Sequence, residues 1–306
     1  MLQVDRLRAL HAVATHGSVS AAAAALHVTT SAVSQQLAKL ERETDSQLIE
    51  RNGRGVRLTD AARLLVEHAD GILRLVERAE SDFEAHRGQV VGQLSIGAFA
   101  TAARGLLPET LGVLGERYPR LTVSMQEVEP PAALRDVVRG GLDLAIVQDW
   151  HSLPLGLPDG LERATLLDDV ADVVVPAGHR FADREVVDVA ELIGEPWVTS
   201  PPGAVCHDLL VHTVRSYDAE LRIVHMAAEY ETQLKLIAGG FGLAIYPRLG
   251  RGPVPPGVVL LRTEPRLLRS VYVVWRKQVG TRPAISATVK ALQSVADVVS
   301  ARADTR

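Results

Sequence analysis

Apolar residues recur every three or four positions along the first part of the chain and then regroup into short continuous runs. Leu7, Leu10 and Val13 share one face of a helix from Asp5 to His16, and Gly17 is placed to end it with a left-handed cap. Val19, Ala22, Ala23 and Leu26 form a second apolar face behind Ser18, a favourable N-cap residue. His27 and Val28 break that pattern, and a third helix opens at Thr29 or Thr30, where a hydroxyl can cap it. In the third helix Val33, Leu37 and Leu40 point inward, while Ser31, Ser34, Gln35, Ala38 and Arg42 lie on the other side. Two short helices at an abrupt turn predict a helix-turn-helix. The outer face carries short hydroxyls and an amide, which suits a helix lying in a major groove about 12 Å wide with its N-terminal residues against base edges. The same periodicity fits an αα-hairpin that never meets DNA, and the pattern alone leaves both readings open.

Beyond Glu43, residues Leu48 to Arg51, the turn Asn52-Gly53-Arg54-Gly55 and Val56 to Leu58 read as a short hairpin, the wing. Arg51, Arg54 and Arg57 lie on or beside it, where cations meet phosphates or enter a minor groove; the plainer reading is three solvated arginines. Beside a reading helix, Arg51 and Arg54 are assigned to DNA and Arg57 is left open. From Thr59 to about His86 there is no proline, and Ala61, Leu65, His68, Ile72, Leu75 and Ala79 step by four and three, as in a coiled coil. Such a helix is about 40 Å long at about 1.5 Å per residue. That exceeds what a small winged domain covers, so its stripe is expected to pair with a second copy; the competing reading is a helix packed on its own chain.

Arg87-Gly88-Gln89 marks a hinge, after which strands alternate with helices. Strands are expected at 94–97, 121–126 and 142–147, with helices ending before Pro119 and at 132–139. A second sheet is expected from 170–175, 197–199, 221–226, 243–246 and 271–275, followed by a last helix from Pro283 toward Ser300. Two lobes joined by crossing strands leave a cleft, and ligands of open α/β sheets bind beyond the carboxyl ends of strands.

Length and composition allow two or three ordinary domains, with nothing resembling a disordered tract. The net charge of −4 argues against indiscriminate nucleic-acid binding. Residues 1–58 hold seven Lys and Arg against five Asp and Glu, a balance of +2, which leaves −6 for the rest of a chain totalling −4. So mildly basic a reading head needs dimerisation to gather enough phosphate contacts. The single cysteine, Cys206, excludes an intramolecular disulfide, the opening MLQVDRLRAL lacks a signal-peptide core, and no stretch suits a bilayer span. A cytoplasmic location is expected. Enzyme signals are thin: Gly239-Gly240-Phe241-Gly242 is no dinucleotide fingerprint, and neither a phosphate-binding loop nor a nucleophile elbow is present. Cys206-His207 with His212 suggests metal or thiol chemistry only weakly, since a lone cysteine is most often a small buried hydrophobe. No cofactor or metal is expected.

The run from Leu7 to Thr59 resembles the winged helix-turn-helix of LysR-type transcriptional regulators. Leu7, Leu10, Val13, Gly17-Ser18, Ala21-Ala22, Leu26, Ala32-Val33-Ser34, Leu40-Glu41, Leu48, Arg51 and Leu58-Thr59 keep the family's spacing. Four departures stand out: Thr29-Thr30-Ser31 replaces a Ser-Gln opening, Asp45 a glycine, Leu48-Ile49 a Leu-Phe pair, and Ala62 a glycine. An amide at position 30 reads adenine bidentately and threonine does not, so the bases contacted differ from those of a Gln-bearing relative. Farther on, Leu107-Pro108, the run Gly141 to Ile146 and the run Leu236 to Pro247 resemble the family's effector-binding domain, which has the fold of periplasmic solute-binding proteins.

The resemblance implies an α+β chain: a winged helix-turn-helix over 1–58, a linker and dimerisation helix over 59–87, and a two-lobed α/β effector domain over 88–306. It implies a DNA-binding regulator forming a homodimer or homotetramer and controlled by a small molecule. The implied DNA contacts are Thr29, Thr30, Ser31, Ser34, Gln35, Arg51 and Arg54, and the implied effector contacts are Ala100, Thr101, Gln148, Thr199 and Ser200. The hydroxyls of Thr101, Thr199 and Ser200 fall near expected helix N-termini, which favour anions, and so suggest a small carboxylate; the plainer reading makes each an N-cap. Phe241 is placed in a packed core rather than the pocket. Peroxide-sensing members pair a cysteine of a comparable region with a second one, which this chain lacks. The rival to all of this is a solute-binding or catalytic α/β domain whose N-terminal helices serve only assembly.

Overall fold

α1 (Val4–His16) buries Leu7, Ala9, Leu10, Ala12 and Val13, and Gly17 closes it at φ 72° with its N–H on the Val13 carbonyl. α2 (Val19–Ala25) starts at Ser18, whose hydroxyl accepts from the Ala21 N–H at 3.1 Å. His27, at φ 54°, turns the chain into α3 (Thr30–Thr44), whose N-cap Thr29 accepts from the Ala32 N–H at 3.2 Å. Asp45 ends α3 at φ 46°, so the residue standing where the family has glycine adopts the left-handed backbone that aspartate tolerates better than most. β1 (Ile49–Asn52) and β2 (Gly55–Leu58) pair antiparallel, Ile49 opposite Leu58. Val33, Leu37, Leu40 and Leu48 complete one core with the buried residues of α1 and α2.

The computed structural model describes residues 2–52 and 55–304, so Arg54 lies outside the described residues. α4 (Asp60–Arg87) is one helix of 28 residues, capped by the Thr59 hydroxyl on the Ala62 N–H. Its first turns pack on the winged domain through buried Ala62 and Ala69. Ala61 and His68, on the row expected to face a second copy, are exposed, and the adjacent row meets the winged domain. Both registers step by the same interval, and the small alanines win the contact because α1 approaches closely there. Leu64, Ile72, Leu75 and Phe83 remain exposed. The chain divides by contacts into residues 1–88 and 89–306.

In the second unit β3 (Gly92–Ala98), α5 (Ala100–Gly105), α6 (Leu107–Arg117), β4 (Leu121–Glu127), α7 (Pro130–Arg139) and β5 (Leu144–Trp150) build a first lobe, with β3 parallel to β4 and to β5. β6 (Leu161–Pro176) runs for 16 residues out of it. The second lobe holds β7 (Val186–Asp188), β8 (Trp197–Thr199), α8 (Val205–Arg215), β9 (Ile223–Met226), α9 (Tyr230–Ala238), β10 (Ala244–Pro247) and β11 (Val258–Glu264). β12 (Leu267–Arg276) returns antiparallel between β5 and β6, and α10 (Pro283–Asp304) packs on the first lobe.

The main sheet follows the order β4-β3-β5-β12-β6-β11-β7, with β10 also on β6, while β8 and β9 pair separately. Two distinct sheets were the expectation. The main sheet instead continues through both lobes, because β6 and β12 are long enough to belong to each. β11 escapes the sequence pattern behind the Gly- and Pro-rich stretch at 252–257, and β7 is too short to leave a signal. Separate cores fill the lobes: Leu94, Ile96, Leu107 and Leu292 are in one, and Val173, Val175, Leu209 and Leu261 in the other.

Candidate functional sites: the reading face and the inter-lobe cleft

Thr29, Thr30, Ser31, Ser34 and Gln35 are all exposed at the N-terminal half of α3, opposite buried Val33 and Leu37. Their roles divide. The Thr29 hydroxyl is engaged as the cap and lies 2.9 Å from the Ser31 hydroxyl, whereas Thr30, Ser34 and Gln35 have no side-chain partner among the described residues. Donors and acceptors left open on an exposed helix face are free for base edges. Glu41 ties the wing to α3 by accepting from the Leu48 and Ile49 N–H groups at 2.8 and 3.2 Å. Within the wing Arg51 sits in β1 opposite Val56, and the Arg57 guanidinium is held by Glu50 at 2.6 Å, its charge already paired.

In the second unit, Arg269 of β12 is wholly buried where the lobes join. It donates to the Asp169 carboxylate at 2.6 and 2.9 Å, to the Thr101 hydroxyl at 2.9 Å, and to the Gln148 side-chain carbonyl. Asp169 also accepts from the Leu249 N–H at 3.0 Å. A buried cation is tolerable only when so fully paired. The guanidinium lies 5.3 Å from the Phe99 ring and 5.6 Å from the Trp150 ring. Close backbone approach keeps this junction tight. A Cβ on Gly250 would come within 2.2 Å of the Thr101 carbonyl, so glycine alone fits there.

Above this network lies a cavity of about 30 Å³ lined by Ala100, Thr101, Gln148 and Arg269 on one side and by Ser200, Cys206 and Tyr230 on the other. Such a space holds about two waters. Glu129, the N-cap of α7, also lines it and accepts from the Val205 N–H at the start of α8; burial holds its carboxyl above the usual range. Burial likewise pushes the Cys206 thiol up, and its sulfur lies 3.3 Å from the Tyr230 hydroxyl, whose own pKa burial raises strongly. A raised thiol pKa leaves little of the nucleophilic thiolate. Ser200 is held by Gln233 at 3.4 Å, and its carbonyl lies 3.1 Å from His207 Nδ1.

Ala100, Thr101, Gln148 and Ser200 thus meet at one cavity, while Thr199 is buried in β8 without lining it. Phe241 is exposed, neither core nor pocket. Arg269, Asp169, Glu129 and Tyr230 were absent from the expected set. The available signal was a lone arginine inside the apolar run Leu267 to Trp275, and an aspartate pair at the head of Val170 to Val175. Among the described residues no group of three or more His, Cys, Asp or Glu is placed to hold a metal ion, and no helix is long and apolar enough to cross a membrane.

The family described as bacterial regulatory helix-turn-helix protein, lysR family, matches residues 4–63, and that of the LysR substrate binding domain matches residues 87–297. The chain is 29% identical over 287 residues to the DNA-binding transcriptional dual regulator OxyR of Escherichia coli (strain K12), covering 90% of each. It is 33% identical over 199 residues to a probable RuBisCO transcriptional regulator of Trichormus variabilis, covering 64% of this chain and 58% of that one. The fold is similar to that of a full-length OxyR variant from Pseudomonas aeruginosa, with a TM-score of 0.70 at 22% identity over 97% of each chain. Matched in both units, the chain belongs to the LysR family of DNA-binding transcriptional regulators.

Proposed function

We propose that the chain reads its operator with Thr30, Ser31, Ser34 and Gln35 in the major groove, Thr29 capping the reading helix, and Arg51 and Arg54 of the wing on the phosphate backbone. Residues 1–58 serve as the DNA-binding domain, 59–87 as the linker and dimerisation helix, and 88–306 as the effector domain. The exposed row Leu64, Ile72, Leu75 and Phe83 on α4 supports pairing with a second copy, since so much apolar surface on one helix is poorly suited to water.

The observation that carries the effector site is the Arg269 network, which joins Thr101 of the first lobe to the crossing strands beneath the cavity. The cavity is too small for an organic molecule, so the lobes separate to admit one and close on it, and the ligand acts by favouring one arrangement over the other. Charge argues for a class other than the carboxylate suggested by helix termini. Arg269 is already neutralised by Asp169, and Glu129 already occupies the start of α8 with a carboxyl group of its own. A small uncharged or cationic molecule with several hydrogen-bonding groups suits Glu129, Gln148, Ser200 and Tyr230 better. Although OxyR is among the relatives, the raised Cys206 thiol gives no support to a thiolate sensor here.

Fluorescence anisotropy of the full chain on its own upstream intergenic DNA and on shuffled DNA tests this reading, repeated with a panel of cationic, neutral and anionic metabolites. Tight, sequence-selective, salt-dependent binding that a cationic or neutral metabolite shifts is the expected result. Equal, weak binding to both DNAs overturns the assigned reading face.

A further inference from the structure

A second and larger cavity, of about 310 Å³, shares no lining residue with the inter-lobe one. It is framed by the end of β5 and the following residues, by the C-terminal half of α8, and by the turn that leads into β12. Its floor is apolar and buried: Trp150, Val189, Leu209 and Leu267. Its rim is polar and exposed, with His151, His212, Tyr217 and Arg266.

Two features of this rim and floor are unsatisfied. Arg262 and Arg269, on either side of Arg266 in sequence, are paired to Glu185 and Asp169, but the Arg266 and His212 side chains have no partner among the described residues. The Trp150 indole N–H, in a side chain with no exposed surface, has no acceptor among the described residues. Leaving a buried donor unpaired costs about 1–3 kcal/mol, so native structures rarely do it without reason. Asp168, 4.0 Å from His151 of the rim, accepts from the Ser270 hydroxyl at 2.8 Å.

We propose that this cavity is a binding site for a small organic monoanion with a flat apolar body, of the aromatic carboxylate class. The carboxylate lies against the Arg266 fork, with His212 beside it, and the ring lies over the apolar floor at Leu209 and Leu267, with Trp150 beneath. Arginine favours that geometry because its planar donors match a carboxylate in pairs. The inter-lobe cavity differs in charge, since its one lining cation, Arg269, is already paired with Asp169 and its one lining carboxyl is Glu129. The two sites are neighbours. Trp150, beneath this floor, stands 5.6 Å from the Arg269 guanidinium, which holds Thr101 and Gln148, so a ligand pressing on the floor bears on the network that the other site uses.

Isothermal titration of the full chain with benzoate, and with benzyl alcohol and benzylamine as neutral and cationic counterparts, tests the site. Benzoate is expected to bind saturably at millimolar concentration or below, and the two counterparts about tenfold more weakly or not at all. Arg266→Ala, an exposed substitution, should weaken benzoate about tenfold with an unchanged melting temperature. Ser216→Trp, which puts an indole at the cavity from an exposed position, should abolish binding. Ser200→Ala, at the inter-lobe cavity, should leave it unchanged. The proposal is overturned if benzoate fails to saturate, if all three compounds bind alike, or if binding survives Arg266→Ala and is lost with Ser200→Ala.

Discussion

Every helix residue assigned to DNA falls between Thr29 and Gln35 and is exposed, whereas the side chains of the Arg269 network beneath the cleft are as many as 168 positions apart and are buried. The reading face is local because one helix turn sets its geometry and the Thr29 cap and the buried Val33 and Leu37 fix its orientation. Its polar groups are exposed to water, so folding asks little of them. The cleft is the reverse. Arg269, Asp169, Gln148 and Thr101 are desolvated on folding and must satisfy one another before any ligand does, which makes that region sensitive to any change of charge. The proposed reading face is therefore open to mutation at little structural cost, while the proposed effector site is bound up with the stability of the lobe junction.

The largest effect that would break the contrast is at Arg269. Arg269→Met leaves Asp169 buried and uncompensated and should lower stability by about 3–5 kcal/mol. Adding Asp169→Asn should restore a substantial part, read by urea unfolding of the full chain. If the double variant is no more stable than the single, the two do not act as a pair. Ser34→Arg with Gln35→Ala should sharpen the other half: operator affinity falls about tenfold or more while the unfolding curve stays in place, checked by anisotropy beside urea melts.

Glu129→Gln tests the electrostatics of the cleft wall. Burial raises the folded-state pKa of Glu129 above the ordinary 4.5, with Glu127 and Asp208 adding to the rise and the Val205 N–H and Arg269 opposing it. The folded state therefore binds the proton more tightly than the unfolded one. Its contribution is fully present below the ordinary carboxyl range and is lost as pH rises through the raised value. Thermal melts from acid to neutral pH should show the wild-type chain declining across that window and Glu129→Gln free of that decline; parallel curves would mean that Glu129 takes up no proton on folding. The smallest effect is at Asp45→Gly, where relief of left-handed backbone should stabilise the winged domain by about 0.5–1 kcal/mol in the same urea assay.

Legibility followed the same division. Ser18, Thr29 and Thr59 are recognisable as caps because a hydroxyl before an apolar period has one obvious use, and each makes that hydrogen bond. Asp45 was visible as a departure from glycine and carries the backbone that glycine would have had. On α4 the row that meets the winged domain, Ala62 and Ala69, stood beside the row expected to pair with a second copy, since periodicity gives the step of a helix but not which of two adjacent rows touches a given neighbour. Thr101, Gln148 and Ser200 were reachable through family spacing, but Arg269 was not, because its meaning depends on partners drawn from three other elements. Thr199 lies beside Ser200 in sequence, yet only Ser200 lines the cavity, a distinction set by how one strand end meets the opposite lobe.

Whatever neighbours along the chain govern is legible in the residues alone: the helices and most of the strands, the helix caps, the exposed polar face of α3, the change of pattern near Gly88, and the family. Whatever depends on approach across the chain is not. The continuity of the sheet through both lobes depends on the pairing of β6 with β12, and the charge balance of the cleft depends on Asp169 reaching Arg269. The unsatisfied rim of the second cavity depends on Arg266 finding no acid within reach among the described residues. Hydrogen bonds and burial act over a few ångströms, and a sequence records such distances only between residues that are close along it.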